Sequence, residues 1–281
     1  MRSWPARAAA VLVVSMGLAG CAVTLADFFL YHPDRVLVAT PRDAGLPYQE
    51  AWFAAEDGVR LHGWFLPAPG AGVTLLWLHG NGGNISYLLE DAHLLRGRLG
   101  AHMFIFDYRG YGQSGGRPSE EGLYRDARAA LAAARRNPQV RPDRIVFFGR
   151  SLGAALAVEL ATREKPLGLI LESPFASVRA MGKFMFPLLP VNLLVGNQFD
   201  SLGRIPQVRA PLLIAHGDRD EVVPFAQGQA LFRAANEPKT FLPIPGAGHH
   251  DIYAVGGELY LDAWARFLGG LEPFAPPPLS R

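Results

Sequence analysis

Cysteine is nearly absent from this sequence, and lysine is rare. The 281 residues contain one cysteine, Cys21, so no disulfide can form within the chain. Lysine occurs only at Lys165, Lys183 and Lys239. The histidines do not have the spacing of a zinc site, and we expect no metal and no organic cofactor.

An excess of charge is also lacking. The formal net charge is +2, and without Arg2 and Arg7, which lie in a predicted signal peptide, 25 basic residues balance 25 acidic ones. A nucleic-acid-binding surface requires clustered positive charge, so we expect no nucleic-acid partner. The hydrophobic content of 49% is ample for a sizeable core, and the length fits one large domain or two small ones.

The one cysteine lies at the end of an N-terminal export signal. Residues 1–7 form a basic n-region, and Ala8 to Gly17 form an apolar h-region of secretory length. Leu18-Ala19-Gly20-Cys21 then matches the lipobox of bacterial lipoproteins, and this resemblance implies lipid attachment to Cys21. We expect an exported, membrane-anchored lipoprotein facing the periplasm or the cell exterior. The alternative is an uncleaved signal anchor, because apolar residues continue to Ala26.

Strands alternate with helices along the rest of the chain. An Asp-Gly turn predicts an antiparallel hairpin of residues 51–56 and 59–66. Apolar runs typical of buried strands follow at 73–78, 102–106, 144–149, 167–171, 211–215 and 240–244. Helical patterns lie at 84–99, 119–136, 152–161, 224–235 and 257–268. This order predicts an α/β fold with a mostly parallel eight-stranded sheet and helices on both faces.

The boundaries of the domain follow from composition. An irregular, proline-interrupted segment separates the sixth and seventh predicted strands, and we interpret it as a short cap over the carboxyl edge of the sheet. The predicted segments are a lipoprotein signal peptide (1–20), a lipid-anchored tether and edge segment (21–46), the α/β domain (47–270) with its cap (173–208), and a proline-rich tail (271–281).

Gly149-Arg150-Ser151-Leu152-Gly153 connects a predicted strand directly to a predicted helix. A serine between two glycines at such a junction is the G-x-S-x-G nucleophile elbow. The same pattern recurs around Ser114, but a proline follows there instead of a helix. Context therefore selects Ser151 as the candidate nucleophile.

An acid and a base are predicted in the loops after the last two strands, because functional groups of parallel sheets lie at the carboxyl ends of strands. The candidates are Asp218, Asp220 and Glu221 for the acid, and His249 and His250 for the base. The pattern itself leaves both choices open.

A glycine-rich turn, His79-Gly-Asn-Gly-Gly-Asn84, follows the strand at 73–78. Its backbone can direct an N–H at a developing oxyanion. We assign that donor to Asn81, with Gly82 as the neighbouring alternative, and the second donor to Leu152. The turn is not a P-loop, since no Gly-Lys-Ser/Thr follows.

These motifs together resemble the α/β-hydrolase superfamily of serine hydrolases, in the branch that includes the eukaryotic protein depalmitoylases and related lysophospholipases. The resemblance covers about residues 31–268. The segments that carry it are 57–64, 79–81, 107–115, 149–153, 172–175, 216–220 and 246–249. It implies the α/β-hydrolase fold, Asp220 as the acid, His249 as the base, and a structural role for the loop that contains Ser114.

The resemblance implies a hydrolase that acts through a Ser-His-Asp triad. The predicted lipid anchor and the apolar cap together favour cleavage of acyl esters or thioesters, on small-molecule or acylated, lipid-like substrates near the membrane. Apolar cap residues are candidates for a substrate groove, although they could equally be buried against the sheet. These residues are Met181, Phe184, Met185 and Phe186. A serine aminopeptidase-like peptidase and a catalytically idle binding lipoprotein are the alternative functions. The sequence assigns no role to Arg150 or His250.

Overall fold

The computed structural model describes residues 30–191 and 196–271, which form one α/β unit. The strands are β1 (His32–Pro33), β2 (Gln49–Ala54), β3 (Arg60–Leu66), β4 (Thr74–Leu78), β5 (Gly82–Gly83), β6 (His102–Phe106), β7 (Ile145–Arg150), β8 (Gly168–Glu172), β9 (Leu212–Gly217) and β10 (Lys239–Ile244). The α-helices are α1 (Leu89–Leu99), α2 (Glu120–Arg136), α3 (Leu152–Arg163), α4 (Val178–Met185), α5 (Ser201–Arg204), α6 (Phe225–Ala234) and α7 (Ile252–Gly269). Short 3-10 helices lie at Ile85–Leu88, Pro142–Arg144 and Ile205–Gln207.

Eight strands form one mixed sheet in the order β10-β9-β8-β7-β4-β6-β3-β2. The six strands from β10 to β6 run parallel, β3 is antiparallel to β6, and β2 is antiparallel to β3. The prediction of a mostly parallel, eight-stranded sheet is therefore confirmed. The two remaining strands, β1 and β5, form a separate parallel pair beside the end of β4.

Two hydrophobic cores cover the two faces of the sheet. Side chains alternate along β4, so that Leu76 and Leu78 enter one core while Leu75 and Trp77 enter the other. Helices α2, α3 and α6 complete the first core, and α1 and α7 complete the second. This two-sided burial explains why the central strands read as continuous apolar runs.

The structure corrects two boundaries. Helix α7 begins at Ile252, before the predicted start at residue 257, because Gly257 with φ 45° kinks it and interrupts its period. The cap was predicted to be irregular but contains α4 and α5. Ser177 caps α4 by accepting from the Ala180 N–H at 3.1 Å, a local signal that the neighbouring prolines obscured.

The chain enters the described structure along the carboxyl edge of the sheet. Tyr31 is buried with its ring 6.4 Å from that of Phe199 in the cap, and the His32 N–H donates to the Asn81 carbonyl at 3.0 Å. The predicted export signal with Cys21, and residues 272–281 of the predicted tail, lie outside the described residues. Among the helices that are described, none combines the length and apolar character needed to cross a bilayer.

Candidate active site

Ser151 occupies a strained turn between β7 and α3. Its φ of 53° lies in the left-handed region, which costs a non-glycine residue about 1–3 kcal/mol and persists only where the surroundings impose it. A Cβ on Gly153 would overlap the Leu78 carbonyl oxygen, and one on Gly149 would overlap the Gly153 carbonyl. The glycines of the elbow are thus required by the close packing of α3 on β4 and on β7. Ser151 itself is 9% exposed.

His249 and Asp220 form a buried pair at the ends of the last two strands. The His249 Nδ1 lies 2.8 Å from Asp220 Oδ2. The other oxygen, Oδ1, accepts from the backbone N–H groups of Val222 and Val223 at 3.0 and 2.7 Å. With both oxygens engaged, the carboxylate can hold the imidazole in the tautomer with its proton on Nδ1, which leaves Nε2 able to accept a proton.

The other candidates that the sequence left open make different contacts. Asp218 is exposed, and its Oδ1 accepts from the Gly246 N–H at 2.7 Å. Glu221 is exposed and reaches only the backbone N–H of His249, at 3.4 Å. His250 is exposed, with its ring 5.0 Å from that of His249. Of these groups, the structure brings Asp220 and His249 together through their side chains.

A second histidine, His216, supports the acid. It is fully buried, and its Nε2 lies 2.9 Å from the Val223 carbonyl oxygen and 3.3 Å from Asp220 Oδ2. Burial opposes ionisation of Asp220, but the hydrogen bonds from His216 and His249 outweigh it and hold the pKa of this carboxyl well below its usual range. The sequence indicated His216 only as part of the segment 216–220. The His-Gly-Asp pattern at a strand end was the available signal for this contact.

Arg150, to which the sequence assigned no role, connects the elbow to the histidine loop. Its Nη2 donates to the His249 carbonyl oxygen at 3.2 Å, and its Nε lies 3.0 Å from Oε1 of the fully buried Glu172. The Tyr260 hydroxyl donates to the other oxygen of Glu172 at 2.6 Å. Since Arg150 precedes Ser151, this network holds the loop of His249 beside the elbow.

Asp91 on α1 is the outer member of the network, with Oδ2 3.3 Å from Arg150 Nη1. Burial raises the pKa of the Asp91 carboxyl to about 6, although the positive charge of Arg150 opposes the shift. For Arg150, burial disfavours the charged form, but Glu172 and Asp91 outweigh it and raise the pKa of the guanidinium. The arginine therefore stays charged at every physiological pH.

The glycine-rich turn lies next to the elbow. A Cβ on Gly80 would be 3.9 Å from the Ser151 Cβ, an ordinary contact distance. Asn81 is fixed there, because its Nδ2 donates to the Leu30 carbonyl at 3.1 Å and its carbonyl accepts from the Tyr111 hydroxyl at 2.8 Å. Leu152 is the first residue of α3, and N–H groups in the first turn of a helix have no intrahelical acceptor.

Ser114, the serine of the second G-x-S-x-G segment, has a structural role. Ser114 is fully buried; its hydroxyl donates to the Asp107 carbonyl at 2.7 Å and accepts from the His62 N–H at 2.9 Å. Both capacities of the hydroxyl are used within the protein, so Ser114 joins two segments of backbone and offers no free nucleophile.

The candidate groove residues fall into two groups. Met181 is half-buried against the first core, and its sulfur accepts from Gln227 Nε2 at 3.2 Å. Phe184, Met185 and Phe186 are 52%, 57% and 42% exposed, so the alternative that they bury against the sheet is wrong.

A serine in a strained strand-to-helix turn, a histidine–aspartate pair on the following strand ends and this mixed sheet define the α/β-hydrolase class. The comparisons agree. Residues 71–200 match the model of the Hydrolase_4 family, described as serine aminopeptidase, S33. The chain is 35% identical to the α/β-hydrolase domain-containing protein WAV2 of Arabidopsis thaliana, with 84% of this chain and 82% of that protein covered. It therefore belongs to the α/β-hydrolase family.

Two further proteins are similar to this chain over about the same share of its length. The uncharacterized protein Rv2307c of Mycobacterium tuberculosis is 40% identical, with 85% of this chain and 89% of that protein covered. The esterase Pf2001 of Pyrococcus furiosus superposes with a TM-score of 0.73 at 23% identity, over 86% of this chain and 98% of that one. At that identity the structural likeness shows the fold alone.

Proposed function

We propose that this hydrolase is a serine enzyme that cleaves acyl esters or thioesters, with Ser151, His249 and Asp220 as its triad. The observation that carries the proposal is the buried 2.8 Å contact between His249 and Asp220, held beside the strained Ser151 by Arg150. A structural loop has no need of a nucleophile, a base and an acid on three separate strand ends.

The proposed chemistry has two halves. His249 Nε2 accepts the proton of the Ser151 hydroxyl as Oγ bonds to the acyl carbon, and the N–H groups of Asn81 and Leu152 stabilise the resulting oxyanion. The leaving alcohol or thiol takes the proton from His249, which leaves the acyl group on Ser151. Water, deprotonated by His249, then attacks the acyl carbon and releases the carboxylic acid, and the serine regains its proton.

Esters and thioesters are favoured over peptides. An aminopeptidase requires a carboxylate that can bind the free amino group of its substrate. Glu172 cannot take this role, because both of its oxygens lie against Arg150 and Tyr260 inside the protein. Glu221 remains exposed near His249 and is the group through which a peptidase activity could operate.

We infer the substrate class and the location of the enzyme from the N-terminal segment and from the cap. The predicted lipobox at Cys21 would attach the enzyme to a membrane, and the exposed apolar side chains of the cap favour a fatty acyl group over a sugar ester. We propose an exported, envelope-bound enzyme that acts on lipid-like or acylated molecules, as the resemblance to depalmitoylases and lysophospholipases suggests.

Labelling by a fluorophosphonate probe tests the nucleophile. We expect the wild-type protein to be labelled and Ser151→Ala to be unlabelled, with turnover lower by several orders of magnitude. Ser114→Ala is the matched control, because it removes the serine of the other G-x-S-x-G segment and should keep the label. An unlabelled wild-type protein would indicate an idle binding lipoprotein.

A substrate panel tests the bond that is cut. p-Nitrophenyl esters of increasing chain length and aminoacyl anilides should be hydrolysed with kcat/KM highest on the longer esters. Preference for the anilides would overturn the ester assignment and favour the peptidase.

Metabolic labelling with palmitate tests the lipid anchor. Absence of labelled palmitate from the wild-type protein, or equal labelling of Cys21→Ala, would reject it.

A further inference from the structure

The most exposed large apolar surface of the described residues is the tip of the cap, residues 184–189 (hereafter the cap tip). Its sequence is Phe-Met-Phe-Pro-Leu-Leu, with no charged residue. Leu188 is 97% exposed, and Leu189 is 53% exposed. Contiguous exposed apolar side chains of this size mark a surface that binds a membrane or a partner.

The cap tip projects because α4 extends past the core. Positions i, i+3 and i+7 share one face of a helix, and in α4 these are Val178, Met181 and Met185. The first two pack against the core, whereas Met185 is more than half exposed. The chain then returns onto the helix, since Val191 is buried and lies where a Cβ on Gly182 would contact it.

The N-terminal segment leaves the domain at the same edge. The Val178 N–H donates to the Gln198 carbonyl at 3.0 Å, and the next residue, Phe199, packs against Tyr31. The point where the chain enters the domain is therefore two contacts away from the start of α4. The predicted membrane attachment is close in sequence, because Leu30 is nine positions after Cys21. A fully extended link of that length spans at most about 30 Å.

Charge on the cap also suits a bilayer. Lys183 is exposed next to the cap tip, and α4 carries no acidic residue. Across residues 173–208 the other basic residues are Arg179 and Arg204, of which Arg204 pairs with Glu120 at 3.8 Å, and the acidic residue is Asp200. Basic groups beside an apolar surface are attracted to anionic lipid headgroups.

We propose that the cap tip inserts into the surface of an anionic lipid bilayer, so that the carboxyl edge with Ser151 faces the membrane. The N-terminal attachment then provides proximity, and the cap tip sets the orientation. Acyl chains at the interface would reach the site without crossing water. The docking stands on the placement of the cap and the entry segment and does not depend on the proposed chemistry.

Quenching of tryptophan fluorescence by brominated lipid tests the insertion. The protein is reconstituted on vesicles of dioleoylphosphatidylcholine and dioleoylphosphatidylglycerol, with plain or brominated acyl chains. It is used as the lipid-modified chain that begins at Cys21 or, if the signal peptide is retained, as the full chain carrying Trp4→Phe. Phe184→Trp then reports from the cap tip. Leu259→Trp on α7 is the matched control, since Leu259 is 47% exposed and Phe184 is 52% exposed. Leu189→Trp provides a second reporter if the first variant misfolds.

We expect brominated lipid to reduce the emission of Phe184→Trp and to leave that of Leu259→Trp unchanged, since an interfacial apolar face is buried about 5–10 Å into the boundary between headgroups and acyl chains. Adding Leu188→Asp should abolish the quenching. Equal emission on plain and brominated vesicles would overturn the proposal, because the cap tip would then lie outside the bilayer, either in water or covered by the N-terminal segment or a second protein. Quenching that persists in the Leu188→Asp protein would also overturn it, because proximity alone would then be the cause.

Discussion

Replacing Asp220 by asparagine should reverse the tautomer of His249. Oδ1 of Asp220 accepts two backbone N–H groups, so the amide oxygen of an asparagine would take that position. Its NH2 group would then face His249 Nδ1 and donate to it. The imidazole would have to carry its proton on Nε2, where it can no longer accept one from Ser151.

The expected loss is about 10⁴-fold in kcat, equivalent to about 5 kcal/mol of transition-state stabilisation. The fold should survive, because the two backbone contacts remain, with a stability cost of about 1–3 kcal/mol from the lost charged hydrogen bonds. The folded pKa of Asp220 is lowered, so its contribution is complete above the ordinary carboxyl pKa near 4 and is lost as pH falls further. The two proteins should therefore differ in Tm above pH 5 and converge at lower pH.

The assay is hydrolysis of a p-nitrophenyl ester at saturating concentration, with Tm measured on the same samples. Asp218→Asn is the control: it changes an exposed carboxylate in the same loop and keeps its acceptor for the Gly246 N–H, so kcat should not change. An Asp220→Asn enzyme within about tenfold of the wild type would refute the assignment of the acid, since that corresponds to only about 1.4 kcal/mol.

Two further predictions concern the scaffold of the site. Asp91→Asn should stabilise the protein at pH 8 by up to about 3 kcal/mol and have no effect at pH 4. The folded-state pKa of Asp91, about 6, lies above the ordinary carboxyl pKa, so folding favours the protonated carboxyl. The stability that this carboxyl contributes at low pH is therefore lost as pH rises through 6, and asparagine, which does not ionise, avoids that loss. Urea unfolding at both pH values measures this, and destabilisation at pH 8 would show that the contact with Arg150 outweighs the cost of burial. Gly153→Ala should prevent folding because its Cβ meets backbone atoms of β4, whereas Gly97→Ala, with open space on α1, should stabilise by about 1 kcal/mol. Soluble yield and Tm of the two variants measure this difference. Similar yields and Tm values for Gly153→Ala and Gly97→Ala would contradict the prediction.

Local patterns predicted most of the fold. The two-residue period of a strand, the 3.6-residue period of a helix and the apolar runs of buried strands all act within a short stretch of chain. The Asp-Gly turn of the hairpin was predicted directly from the residues, and Ser119, the first residue of the helical pattern at 119–136, is the residue that caps α2. The start of α7 was misplaced because the kink at Gly257 depends on how both halves of the helix pack.

The site was predicted less completely, because its contacts join distant residues. The residues alone did not decide among three carboxylates and two histidines, since all five lie in short loops with suitable chemistry. Arg150 contacts Asp91 and His249, which are 59 and 99 positions away, and no local pattern indicates such a network. The exposure of Leu188 likewise depends on where the core ends beneath α4.

The sequence alone determined that a serine stands in a strained turn at a strand end, because two glycines and the flanking periodicities permit few other conformations there. It also determined the order of strands and helices that forms an α/β sheet. The tertiary structure decided which acid meets which histidine, what Arg150 holds in place and which side of the cap faces outward. Those outcomes depend on the packing of segments far apart in the chain, where burial and charge are set by neighbours that no local pattern specifies.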